Sequence, residues 1–440
     1  MSELKYLVDW QGEAANAAPE ERATVADFRF WISDQNVCQH LRGGDTAFDY
    51  VTVPLYGLAE GLAHDWWRIF GGRDKVSLAK FRNGAVMPDI RLSFDGAAFE
   101  VSAFQKAYKN PDARFWVGPS EVLARPKAEA FLGDLVDHIL VRLDHRDVCG
   151  TGAAVRWSRV RASRENADES AFCEAAGALG LDPYNISEEA AATIEKAGEL
   201  FDGEALTDYL AGARGTDQAR LGEWITRVER RSPASSRLGG LKRALRDAAS
   251  ADPVRAGEPA WALGYRRAAI ARRVCGFGST RRFRDYQDLA HALGASRNYR
   301  PGPRAFGLRV LRSDDDDETS LHLRPHGHSS EAKAQELFSL ARGAGDVACF
   351  PEGGFPGNGP GGRRSAINDL RFAYRQAASR AFAAEFLAPI EEITGMLRDG
   401  KDVIAVANEF AVSTEVIERQ IENAPRIPAA ASSLGFDRAP

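Results

Sequence analysis

Apolar and polar positions recur with two different periods along this chain, and the changes of period divide it. From Ala23 to Ser33, and again from Phe48 to Leu55, β-branched and aromatic residues predominate, which predicts strands. Leu55, Leu58, Leu62, Trp66 and Ile69 then repeat at helical spacing, and Ala59 and Ala63 widen the stripe. Period two returns at Ile90, Leu92 and Phe94 and again at Phe99 and Val101. Asp95-Gly96 between these runs predicts a hairpin with a type I′ turn. Phe115 to Val117 reads as one more strand, and Pro126 opens a helix with Phe131, Leu135, Ile139 and Leu143 on one face. Residues 1–150 are therefore expected to form a mixed α+β domain. Trp66 and Trp67 lie on a helical stripe, so they are expected in the core; the alternative is a binding platform.

Residues 151–255 carry helical periodicity. Phe172, Ala176 and Leu179 share a helix that Gly180 ends, and Ser187 caps the next one, which opens with Glu188 and Glu189. In 256–428 two helical stretches, Trp261 to Gly278 and Arg284 to Ala295, precede a strand pair, Phe306 to Arg312 and Thr319 to Arg324. The acidic tip between these strands, Asp314 to Glu318, is expected to be solvated. Ser329-Ser330-Glu331 caps a helix that runs through Asp346. A glycine- and proline-rich loop, Phe350 to Arg364, separates it from a helix expected from about Ala366 through Pro389. Asp402 to Ala424 reads as helix, turn at Val412-Ser413, helix, with Ile404, Ala407, Phe410, Val416 and Ile421 closing the core. The 429–440 tail is expected to be disordered. The fold class that follows is α+β: a mixed N-terminal domain, a helical middle and a C-terminal domain of helices with a strand pair.

Composition narrows the function classes. With 440 residues, 44% of them hydrophobic and 27% charged, the chain can bury a sizeable core. A net charge of −5 argues against a general nucleic-acid binder. The charge is uneven, however. Arg214 to Arg284 holds 17 Lys and Arg against 6 Asp and Glu. Arg266, Arg267, Arg272, Arg273, Arg281, Arg282 and Arg284 are the candidates for weak, sequence-independent contact with nucleic acid; the alternative is a solvated face paired with the acidic remainder. Five scattered cysteines without a CxxC pair imply reduced thiols, hence a cytoplasmic protein. No apolar run is long enough to span a bilayer, so no membrane partner is expected.

The densest chemical signal lies in two stretches, LFSLARGAGD (Leu337–Asp346) and SRAFAAEFLAP (Ser379–Pro389). Together they resemble the ImmA/IrrE family of zinc metallopeptidases. In that family a helix reading roughly RFxLAHELGH is followed by one reading roughly ANRFAAELLMP. Phe338, Leu340, Ala341 and Gly345 match the first pattern; Phe382, Ala383, Ala384, Glu385, Leu387 and Pro389 match the second. The resemblance implies a zincin-like domain over about 256–428, with a helix-turn-helix-like C-terminal end. Its HExxH motif sets two histidines one helical turn apart on a zinc, and its glutamate takes a proton from the zinc-bound water. Here Arg342, Gly343 and Asp346 occupy those three positions. On the second helix Arg375, Gln376, Ala377, Ala378, Ser379 and Arg380 stand where an acidic third ligand is expected.

What the resemblance implies is thus a bacterial-type scaffold without its metal site. The expected function is a regulatory or binding pseudoenzyme with no cofactor and no catalytic residue. Arg342, Asp346, Arg375, Gln376 and Arg380 would line the former cleft, and a protein, such as a transcriptional repressor, would be its partner. The alternative is an active metallo-endopeptidase of the repressor-cleaving type that binds zinc through other groups. Those would come from Asp346, Glu352, Asp369, Glu385 or the cluster His322, His326 and His328, which lacks standard zinc spacing. Arg342 and Asp346 stand at i and i+4, so they share a helix face with Arg375 and Arg380 expected opposite. Asp346 between arginines would fill the space of a dication; otherwise Arg342 points to solvent and the cleft has collapsed.

Overall fold

A computed structural model of the chain describes residues 4–12, 17–43, 46–104, 113–116, 118–215, 218–231, 237–238, 241–255, 257–296, 299, 308–315, 318–351 and 364–424. Helices and antiparallel sheets are both present, so the class is α+β. The chain divides into two compact units, Met1–Ala191 and Ala192–Pro440, and the division falls inside the helical middle stretch. Val117, Phe306, Glu352, most of the glycine-rich loop and the 429–440 tail lie outside the described residues.

In the first unit, alternation does what the sequence pattern requires. Ala26, Phe28, Phe30 and Ile32 on strand Val25–Ile32 face the core, while Asp27 and Arg29 face outward. This strand pairs with Leu4–Trp10 on one side and Val51–Pro54 on the other. The pattern does not predict Leu4–Trp10. Only Leu4 on it is buried, so it lacks a clean apolar face. A second sheet contains Asp89–Phe94 and Phe99–Phe104. Phe94 pairs with Phe99, which leaves four residues in the turn, not the two of a type I′ hairpin. Asp95 is the reason: its carboxylate accepts from the backbone N–H of Ala97 and Ala98 and closes a longer loop. Helices Tyr56–Gly71, Gly152–Glu165 and Ala167–Leu179 pack together. Trp66 meets Trp157 edge-on with ring centroids 4.9 Å apart, and Trp67 Nε1 donates to Tyr184 Oη at 3.0 Å; both tryptophans are core.

The second unit is built around helix Ser330–Cys349. Ser329 Oγ caps it by accepting from the Ala332 N–H. Every residue from Ser339 to Cys349 is buried, so this end of the helix is covered on all sides. Two glycines permit that. A Cβ at Gly345 would sit 2.6 Å from the Phe382 ring, and one at Gly343 would sit 2.9 Å from Leu321 and 3.1 Å from Val310. Helix Tyr374–Leu387 therefore lies against one side and a three-stranded antiparallel sheet against the other. Helix Ala260–Val274 approaches Tyr374–Leu387 just as closely: a Cβ at Gly264 would come within 2.4 Å of the Ala378 carbonyl.

The sheet order is Glu318–Leu323, Leu308–Asp315, Arg364–Asn368. The last strand corrects the sequence reading, which predicts a helix from Ala366. Ser365, Ala366 and Ile367 are all buried and pair with Arg312, Leu311 and Val310; a short strand buried on both faces has no alternation to betray it. The helix starts only at Tyr374. At the acidic tip only Asp314 departs from the expectation, being buried against Arg312; the Glu318 side chain is 45% exposed, and residues 316–317 lie outside the described residues. Helices Val403–Phe410 and Thr414–Asn423 meet at Ala411, whose φ of 53° makes the turn. Val406, Ala407, Phe410 and Ile417 close the core, but Ile404 is 63% exposed and Ile421 faces solvent as well. Among the described residues no helix is long and apolar enough to cross a membrane.

Candidate functional site

Asp346 is the most enclosed charge in the second unit, with no exposed surface. Its Oδ1 accepts from Arg375 Nε at 2.5 Å; its Oδ2 accepts from Arg375 Nη2 at 2.8 Å, Arg312 Nη1 at 3.0 Å and Ser365 Oγ at 2.7 Å. Arg312 is held in turn by Asp314, Nε to Oδ1 at 3.1 Å and Nη2 to Oδ2 at 2.6 Å, and by the carbonyls of Phe350 and Pro351. The Arg375 guanidinium also lies over the Phe350 ring, 5.0 Å from its centroid. Two arginines and two aspartates thus form a neutral group supplied by two helices and a strand. Burial alone pushes the Asp346 carboxyl up, but Arg375, Arg312 and the Ser365 hydroxyl outweigh it and hold it down at about 2.

Arg342, one turn earlier, does not join this group. Its Nη2 donates to the Asn368 carbonyl at 2.6 Å and to Gln376 Oε1 at 3.0 Å, and its Nη1 stops 3.7 Å from Asp369 Oδ1. Gln376 Nε2 donates to the Ala366 carbonyl at 2.9 Å, and Asn368 Nδ2 donates to the Asp208 carbonyl at 2.8 Å on helix Gly203–Gly212. Arg342 and Gln376 therefore tie strand Arg364–Asn368 to the helices around it. Burial and then the neighbouring Arg380 lower the Arg342 guanidinium to about 9. Arg380 donates to the carbonyls of Leu370 at 2.7 Å and Arg371 at 3.1 Å, not to Asp346.

Of the five cleft residues, Asp346 and Arg375 thus meet in one group, Arg342 and Gln376 in another, and Arg380 pins the segment after the strand. Arg342 points inward, not to solvent. Sequence reasoning missed Arg312. Its signal is the register Val310-Arg312-Asp314, which puts an arginine and an aspartate on the inward face of one strand.

The histidines do not converge. His322 is buried on its strand, and burial pushes its imidazole down to about 4. Burial, with Arg309 and Arg324 beside it, does the same to His326, whose Nε2 meets Arg309 Nη1 and whose backbone N–H donates to Glu336 Oε1. His328 is exposed. Glu385 accepts from the Ile390 N–H at 3.1 Å and Gln420 Nε2 at 3.0 Å, and Asp369 lies among arginines. Among the described residues no three His, Cys, Asp or Glu side chains are grouped to hold one metal ion. At Gly343, Leu321 and Val310 leave no room for a larger side chain such as glutamate unless they move.

The basic stretch is largely paired internally. Arg266 pairs with Asp252 and Glu258, Arg281 with Asp288, and Arg282 with Glu392. Arg267 and Arg272 are buried, and Arg272 donates to the carbonyls of Phe386, Gly278, Ser279 and Arg281. Arg273 and Arg284 remain on the surface. No known protein family matches the chain, nor does any curated protein or any solved structure.

Proposed function

We propose that the chain is a regulatory or binding protein on a degenerate ImmA/IrrE metallopeptidase-like scaffold, acting in the cytoplasm without zinc-dependent hydrolysis. Its partner is a protein of the transcriptional-repressor kind, in stress response, prophage or defence control, or toxin–antitoxin regulation. The observation that carries this reading is the Arg312–Asp346–Arg375 group. It fills the space between the two motif-bearing helices and the sheet, where the resemblance would put the dication. A zinc ion there would meet two guanidinium groups whose neutralising carboxylates, Asp346 and Asp314, are already committed to them, so no free oxygen ligand is left to offset the ion's dehydration. The zinc content of purified protein tests the reading. After dialysis against a weak chelator it should fall well below one equivalent, and stoichiometric zinc would return the chain to the active peptidases.

A further inference from the structure

One turn in the second unit is made by a residue that resists it. Helix Val403–Phe410 ends in a left-handed cap at Ala411, with φ 53° and ψ 39°. The Ala411 N–H donates to the Asn408 carbonyl at 3.2 Å and the Val412 N–H to the Ala407 carbonyl at 3.1 Å, and the chain turns into helix Thr414–Asn423. Glycine makes such a cap without strain at Gly180, φ 79°, after helix Ala167–Leu179. A left-handed alanine crowds its Cβ against the following carbonyl oxygen, whereas in a right-handed helix alanine is the best residue of all. Ala411-Val412-Ser413 contains no glycine or proline, so nothing in it forbids a helix running straight through. Val406 and Phe410 before the turn and Ile417 and Gln420 after it are buried, and their spacing stays helical across it. Local preference and the observed turn thus conflict.

Helix Thr414–Asn423 is also held by few groups. Of its ten residues only Ile417 and Gln420 are buried. Gln420 is the polar anchor: its Nε2 donates to Glu385 Oε2 at 3.0 Å and to the Ala388 carbonyl at 3.1 Å, and its Oε1 accepts from Tyr265 Oη. We propose that the chain exchanges this helix with a second copy of itself. Ala411, Val412 and Ser413 turn helical, Val403–Asn423 becomes one helix about 30 Å long, and its Ile417 and Gln420 enter the other copy's seat. The exchange repeats every contact of that seat and removes the left-handed alanine from both chains. The inference does not rest on the peptidase-like reading above, since neither the turn nor the seat involves Asp346 and its arginines.

Light scattering after size exclusion of the full chain, incubated at low and at high concentration, tests it. The parent should form a dimer whose share rises with concentration. Ala411→Gly relieves the bent form and weakens the straight one, so it should raise the dimer dissociation constant by about tenfold or more. Thr414→Pro separates the two forms further. Proline suits the first position of helix Thr414–Asn423, after an extended Ser413 with φ −73° and ψ 155°. Inside one continuous helix the same proline removes a hydrogen bond and clashes with the preceding turn. Thr414→Pro should therefore melt with the parent and yet stay monomeric. The proposal falls if the parent is a monomer at every concentration or if Ala411→Gly dimerises as tightly as the parent. It falls too if a folded Thr414→Pro still forms the dimer, which would assign that dimer to a contact without exchange.

Discussion

The largest fully buried side chains of the first unit are Trp66, Trp67, Trp157 and Arg73, with a set of phenylalanines after them; those of the second include Arg312 and Arg375, closed around Asp346. In the first unit arginines mostly keep to the rim, where Arg164 lies over Trp66 and Arg125 reaches Glu129 and Glu174. Arg73 and Arg156 are buried exceptions, donating to the carbonyls of Phe70 and Ala63. The two interiors answer to different physics. An aromatic core gains stability roughly with the apolar area removed from water, so its energy is spread over many contacts. A buried ion group gains little over an apolar core of the same shape, yet it punishes the loss of any one member, because the remaining charges stay buried without a partner. What separates the units is therefore how sharply each interior demands particular residues.

The sharpest way to break that contrast is to remove the central carboxylate. Asp346→Ala leaves Arg312 with only Asp314 and backbone carbonyls, and takes from Arg375 the carboxylate it grips through two nitrogens. Breaking a buried pair costs about 3–5 kcal/mol, which lowers the thermal midpoint by roughly 6–20 °C for a domain of this size. Replacing the group together, as Arg312→Met, Asp314→Asn, Asp346→Leu and Arg375→Met, should recover most of that loss, because all four charges are removed together. Melting curves of the two variants decide the matter. If Asp346→Ala melts within a degree of the parent, or if the fourfold variant melts as low as the single one, the group is not a coupled ionic core.

A second carboxylate in the same unit responds to pH with the opposite sign. Burial pushes Glu385 up to about 8, and the N–H donors of Ile390 and Gln420 only partly offset it. Between its unfolded value near 4.5 and about 8 the folded state binds the extra proton, so stability falls as pH rises through that window. Asp346, held at about 2, contributes stability that is complete above the unfolded value near 3.8 and is lost as pH falls through about 2, so it adds no slope at neutral pH. Glu385→Gln keeps an oxygen for the Ile390 N–H and should flatten the fall between pH 5 and 8. Denaturant midpoints of parent and variant across that range check it; parallel curves would mean that Glu385 does not titrate there.

How much of this is legible in the sequence depends on which force decides each element. The stripe from Leu55 to Ile69 and the alternation in Val25–Ile32 are readable, because one face of each is apolar and the other is not. Strand Arg364–Asn368 is not: RSAIN has no alternation, and only its pairing with Leu308–Asp315 makes it a strand. The pairing of Asp346 with Arg375 follows from the spacing of the two helices. Arg312 enters from a strand paired at long range, and which arginine reaches a buried carboxylate is settled by tertiary register. The same limit applies to Arg266, Arg281 and Arg282. Their run of charge looks like an open basic surface until the partners Asp252, Glu258, Asp288 and Glu392 are placed beside them.

The smallest expected effect tests whether distance or environment sets these energies. Arg419 Nη1 and Glu422 Oε2 lie 2.8 Å apart, the same separation as Arg375 Nη2 and Asp346 Oδ2. The Arg419 and Glu422 side chains are 67% and 61% exposed, however, and sit one turn apart on helix Thr414–Asn423. Water competes for both charges, salt screens them, and two long side chains lose freedom to meet, so such a pair contributes about 0–1 kcal/mol. Arg419→Ala should therefore shift the thermal midpoint by no more than about 4 °C, and raising the salt concentration should shrink even that. Melting curves of Arg419→Ala and Asp346→Ala at low and high salt make the comparison directly. The surface variant should converge on the parent as salt rises, while the buried one should keep its deficit. Equal losses in the two variants, or equal relief by salt, would show that burial is not what gives the Asp346 group its weight.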